Sequence, residues 1–180
     1  MENATNTNQS INNWATAFAL FTSILALFIS IYETTLQRTE NQAMVWPHVT
    51  IDTIYNGEGF SMAAENKGIG PALITSMEVT YKDSLILSMD ALLDAVKPGR
   101  EMGYDVIRMG TLNNTVLSPG ESRIILRLPW TDETRAMVND LRDADLTIEY
   151  CSVLNDCWTF NKQTNTHEEG RFNARLEFED

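Results

Sequence analysis

Cys151 and Cys157, separated by five residues in YCSVLNDCW, are the pair best spaced for chemistry. In a hairpin centred on Leu154 they stand opposite each other, with a shared parity that turns both away from the face of Tyr150 and Trp158. A cross-strand disulfide is geometrically open to them. In an oxidising compartment the pair closes; in cytoplasm it stays as two free thiols. A thioredoxin-type redox centre needs two intervening residues rather than five. Zinc would need two further ligands, and the chain's two histidines, His48 and His167, are remote from the hairpin in sequence.

The remaining reactive types do not converge. His48 follows Pro47 at the start of a strand and reads as a residue at the solvent edge. His167 lies in the polar stretch NKQTNTHEEG, which with Glu168 and Glu169 reads as a solvated loop. Asp140, Asp143 and Asp145 lack the alternating oxygen ligands and glycine turn of a calcium loop. Ser118 and Ser122 flank Gly120 without a Gly-x-Ser-x-Gly elbow. The GIG at positions 68–70 is too short for a dinucleotide fingerprint, and no helix pattern follows it. The expectation is a protein that is not an enzyme, with no catalytic residue, no cofactor and no metal.

What positions these residues starts with the run WATAFALFTSILALFISIY, residues 14–32, nineteen residues without a charge. As a helix it rises roughly 28 Å, close to the hydrocarbon thickness of a bilayer. Trp14 and Tyr32 stand at its ends, where amphipathic rings favour the headgroup layer. A cleaved signal peptide would want a basic start and an Ala-x-Ala exit. The first thirteen residues hold no Lys or Arg, and the run exits into Glu33. The expected organisation is a polar tail (1–13), a transmembrane helix (14–32), a helical extension (33–44) and a β domain (45–180). Only Arg38 follows the span closely, and a short uncharged tail crosses a bilayer easily. These flanks favour a tail outside and a domain in the cytoplasm, with a periplasmic domain as the alternative.

The whole chain carries 13 Lys plus Arg against 25 Asp plus Glu, a net charge of −12. Such a surface repels phosphate backbones, which excludes nucleic acid as an expected partner. The bilayer itself is the expected partner of the helix. The small residues Ala15, Ala17, Ala19, Ser23 and Ala26 leave self-association open, without a Gly-x-x-x-Gly.

Beyond Pro47 the period changes from helical to alternating. His48–Asp52 and Phe60–Glu65 read as strands joined by the tight turn Asn56-Gly57-Glu58-Gly59. Met77, Val79 and Tyr81 share a strand face. Ser88 caps a short helix with Met89, Leu92, Leu93 and Val96 along one stripe. A weak alternation runs from Tyr104 through Val106 and Met109 to Val116. After the turn Pro119-Gly120, the residues Ile124, Leu126, Leu128 and Trp130 face one way and Arg123 and Arg127 the other. Thr131 caps a second helix with Met137, Val138 and Leu141 inward. Leu146, Ile148 and Tyr150 begin a strand whose partner holds Trp158 and Phe160, and Phe172, Ala174, Leu176 and Phe178 suggest a closing strand. About seven short strands and two small helices fit a mainly β domain, an antiparallel sandwich rather than a parallel sheet. Pattern alone does not separate a sandwich from a partly open barrel.

The layout, with Val45-Trp46-Pro47 after the span, then Asn66-Lys67-Gly68-Ile69-Gly70-Pro71-Ala72, LSPGES and the Cys151 to Cys157 hairpin, resembles a group of small bacterial single-pass membrane proteins with an immunoglobulin-like or fibronectin-like soluble domain. That resemblance implies the architecture and a bacterial inner membrane, and carries no site residues with it. The expected function is contact: an interaction or accessory subunit of a membrane-associated assembly, with a protein partner. The alternative is a membrane-tethered sensor that recognises a small molecule or envelope component between sandwich loops.

Overall fold

A computed structural model describes residues 2–99, 108–110 and 112–170, and the side chains within them except those of 2–12 and 108–109. The expected strand residues Tyr104 and Val106, and the alternation from Phe172 to Phe178, lie outside this range. The chain divides into two units, Met1–Ala43 and Met44–Asp180.

The first unit is helix α1, Glu2–Met44. No Gly or Pro interrupts the sequence before Pro47, which lacks the N–H that a helix interior needs. The helix starts at Glu2, so residues expected as a tail are helical. They contain no breaker and add turns to an existing helix without a second nucleation step. Hydroxyls along the helix bond back to it: Thr22 and Ser23 in the apolar stretch donate to the Ala19 carbonyl at 3.0 and 2.8 Å, and Thr34 just beyond it donates to Ser30 at 2.8 Å. This return bonding pairs the hydroxyl protons of these residues within the helix itself. Asn13–Met44 is long and apolar enough to cross a membrane, and the most apolar part is not buried within the chain. A core helix of a soluble domain would be covered by its own protein.

The second unit is built of antiparallel pairs. One sheet has four strands in the order β1-β2-β7-β5, namely β1 (Val49–Asn56), β2 (Gly59–Asn66), β7 (Ser122–Pro129) and β5 (Arg108–Met109). The other runs β10-β9-β8-β3-β4, with β3 (Ala72–Tyr81), β4 (Ser84–Ile86), β8 (Asp145–Cys151), β9 (Cys157–Asn161) and β10 (Thr166–Glu169), while β6 (Thr115–Leu117) pairs with the start of β3. Both sheets feed one core. Phe60 and Met62 come from the first sheet; Ile74, Met77, Val79, Ile148, Tyr150 and Phe160 come from the second. Helices α2 (Met89–Val96) and α3 (Asp132–Asp143) add Leu92, Leu93, Met137 and Leu141. Ser88 caps α2 by accepting from the Ala91 N–H at 3.1 Å. Thr131 and Thr134 form a reciprocal capping box at the start of α3. Lys162 closes the other end of α3, donating to the carbonyls of Arg142 and Ala144 at 2.9 and 2.8 Å.

Three features differ from expectation. Ten strands occur among the described residues, because β4, β5, β6 and β10 have between two and four residues each, too short to show a period. In β7 the inward residue is Ile125, fully buried, while Ile124 is 42% exposed. The cause is a bulge: Met62 pairs with Leu126 and Ala63 with Ile124, so Ile125 is extra and reverses the parity on its N-terminal side. Finally, His167 is not in a solvated loop but on β10, opposite Phe160 of β9.

One corner carries charge on aromatic faces. Tyr55 stacks on Trp130 with ring centroids 6.2 Å apart. The Arg142 guanidinium lies 5.3 Å from the Tyr55 ring centre and that of Arg135 5.7 Å from Trp130. Trp130 also donates its indole N–H to the Asn56 carbonyl. The ladder ties α3 to the turn between β1 and β2.

Candidate functional site

The opposite end of the β unit is where the incoming Val45–His48 segment, the loop after β2, the turn after β6 and the Cys151 hairpin meet. Register places them together: Ala72 pairs with Leu117, and Leu73 lies between Val116 on one side and Cys151 on the other.

Asn66, fully buried at the end of β2, holds the meeting point. Its Oδ1 accepts from the N–H groups of His48 and Gly68 at 3.1 and 3.0 Å. Its Nδ2 donates to the carbonyls of Gly70 and Leu117 at 2.8 and 3.0 Å. Both lone pairs and both protons of the amide are thereby matched, and the four partners fix which atom is oxygen. The Asn66 backbone adds a bond in each direction to the 120–121 turn, donating to the Glu121 carbonyl at 3.0 Å and accepting from Gly120 at 2.8 Å. One residue therefore joins three chain segments.

The glycines beside it exist for close approach. A Cβ on Gly68 would lie 2.5 Å from the Trp46 oxygen and from the His48 nitrogen, and one on Gly70 only 2.0 Å from the Val45 oxygen. The space is used for hydrogen bonds. Ile69 and Gly70 both donate to the Trp46 carbonyl, at 3.0 and 3.1 Å, and Lys67 donates to that of His48 at 2.7 Å. In the adjoining turn the Glu121 carboxylate accepts from the Ser118 N–H at 2.9 Å, and this bond holds its pKa below the usual carboxylate range. Ser118 thus closes a turn.

The cysteines face each other across β8 and β9 with Cα atoms 4.0 Å apart, and their sulfurs are bonded. Inside the hairpin, the Ser152 hydroxyl accepts from the N–H groups of Leu154 and Asp156 at 3.1 and 3.3 Å. Asn155 takes the left-handed conformation that asparagine tolerates. The tip is fixed from within, yet it presents apolar residues: Val153 is 54% and Leu154 47% exposed, and at the same end Ile69 is 65% exposed.

His48 and His167 meet beside this end, with ring centroids 4.1 Å apart. Trp46 lies against His48 and Phe160 against His167, and the Tyr150 hydroxyl is 3.0 Å from Nδ1 of His167. Burial, and then the charge of His48, hold the His167 pKa below its ordinary value. Burial pushes the Tyr150 phenol up to about 12, so it stays protonated.

The other sequence candidates are elsewhere. Asp145 accepts from Asn161 at 2.6 Å and from the Gln163 N–H at 3.1 Å, and Asp140 is 3.5 Å from the Tyr81 hydroxyl. Trp14 and Tyr32 are on α1, 77% and 68% exposed. The sequence singled out the NKGIG stretch but not Asn66 as its organiser; an asparagine directly ahead of two closely spaced glycines was the available signal. The histidine pair left no local signal. The hub residues satisfy one another, and that arrangement holds loops in place rather than offering a base or nucleophile. No protein-family model matches this chain, and neither a curated protein nor a solved structure matches it.

Proposed function

We propose that this chain is a single-pass protein of a bacterial inner membrane, anchored by α1. Its β unit is an immunoglobulin-like sandwich that works by contact, as an accessory subunit of a membrane-associated assembly, without catalysing a reaction. The observation that carries this reading is the end described above, where loops fixed by Asn66 and by the disulfide present Ile69, Val153 and Leu154 to solvent. Apolar side chains on preordered loops favour association, because little conformational entropy remains to be lost on binding. The bonded cysteines favour an oxidising compartment, and this supports a β unit outside the cytoplasm over the cytoplasmic placement that the single Arg38 on the flank suggests.

Among the described residues, the sensor reading finds less support. A depression between α2 and α3, about 400 Å³ and lined by Lys97, Gly99, Asp132 and Glu133, is open and crossed by the Lys97–Glu133 ion pair at 3.2 Å. Small-molecule sites are more enclosed and more apolar.

Photo-crosslinking from position 154 of the full-length chain in native membranes tests the proposal. A discrete adduct with another protein, weakened by Ile69→Asp, is expected. Adducts with lipid alone, or none, would overturn it. An impermeant thiol reagent applied to intact cells should label Cys151 and Cys157 only after reduction; labelling restricted to opened cells would reverse the orientation.

A further inference from the structure

The two histidines of the chain come from opposite ends of the β unit's sequence and from different sheets. His48 immediately precedes β1, an outer strand of the four-stranded sheet, and His167 lies on β10, the outer strand of the other. Their contact therefore closes one side of the unit between two sheet edges. β10 has only four residues and pairs only with β9 among the described strands. A strand that short has little hold of its own, so a ring contact at its midpoint is a large share of what keeps it in place.

We propose that the His48–His167 contact is an acid-sensitive latch: neutral rings hold β10 against the start of β1, and proton uptake by the pair releases β10. Neutral imidazoles pack as flat aromatic rings. One proton leaves an ion against a neutral ring; a second places like charges face to face at the 4.1 Å centroid separation. The surroundings offer little to balance those charges. Trp46 and Phe160 offer only ring faces, which attract a cation weakly and carry no counter-charge, and the Tyr150 hydroxyl stays neutral. Lys67, bonded through its N–H to the His48 carbonyl, directs its ammonium to Asp52 at 2.7 Å. Glu168 occupies the other face of β10. Glu169 shares the face of His167 but is exposed, one pair further along opposite Trp158. The direction of the pH effect follows. With His167 held below its ordinary value in the closed state, the open state binds more protons once the pH falls below about 6.5. The latch is closed above that pH and weakens below it.

The test uses the full-length chain in lipid nanodiscs. With only two histidines, ring resonances report each titration directly. One ring should titrate below the ordinary histidine range. Amide exchange at Thr166–Glu169, corrected for the intrinsic effect of pH, should rise roughly tenfold between about pH 7.5 and about pH 5, while exchange in β3 stays constant. His167→Phe keeps a ring against Phe160 and removes the proton, so β10 exchange should lose its pH dependence. His48→Phe should do the same and serves if the first variant does not fold. Ordinary titration of both rings with unchanged β10 exchange would overturn the latch, as would acid release that persists in the Phe variants.

Discussion

The two ends of the β unit are fastened by opposite means. Where Val45–His48 comes in, fastening is internal: a buried amide with all four hydrogen-bonding positions used, backbone against backbone with no room for a Cβ, and a covalent crosslink. At the Tyr55–Trp130 corner it is external, made of rings and guanidinium groups at the surface. Buried polar groups cost most when one partner is removed, whereas exposed charge contacts are weakened by water and are individually replaceable. The fastening residues of the first end, Asn66, Gly68 and Gly70, should therefore tolerate almost no substitution, and those of the second should tolerate most.

The largest effect is expected at Gly70→Ala. Backbone has to move out of a 2.0 Å overlap, and the bonds to Trp46 go with it. A loss of about 4 kcal/mol or more in unfolding free energy, read from a denaturation midpoint of the full chain in detergent, is the prediction. Asn66→Ala strands two N–H groups and two carbonyls, and should cost about 3 to 4 kcal/mol; a loss below about 1 kcal/mol would mean that the comparison is wrong at its strongest point. Replacing both cysteines by serine removes a short closed loop and should cost about 2 kcal/mol, with the Val153–Leu154 tip becoming sensitive to protease. At the other corner, Arg142→Ala should cost only about 0.5 to 1 kcal/mol. A double-mutant cycle with Tyr55→Leu should show a coupling of the same size that diminishes in high salt. Equal costs at the two ends would erase the contrast.

The same contrast separates what the sequence revealed from what it concealed. Helix α1 was legible because the length of an apolar run is a local property, and α2 and α3 because Ser88 and Thr131 are caps whose effects reach only a few residues. The β1–β2 turn and the pairing of Cys151 with Cys157 follow from adjacency along the chain. The bulge at Ile125 was hidden, since parity is lost as soon as one strand carries an extra residue. The Asn66 hub depends on Leu117, 51 positions away, and the histidine pair on strands from two sheets; neither has a period to detect. At the candidate site, the glycines and cysteines could be read in advance, but the residues that connect them could not.

Membrane attachment is tested most directly by alkaline extraction of membranes containing the full-length chain, followed by centrifugation and detection in pellet and supernatant. If α1 crosses the bilayer, the chain stays in the pellet at high pH and enters the supernatant only with detergent, and replacing Leu20, Ile24 and Phe28 by aspartate releases it. Recovery of the unaltered chain in the detergent-free supernatant would contradict the account.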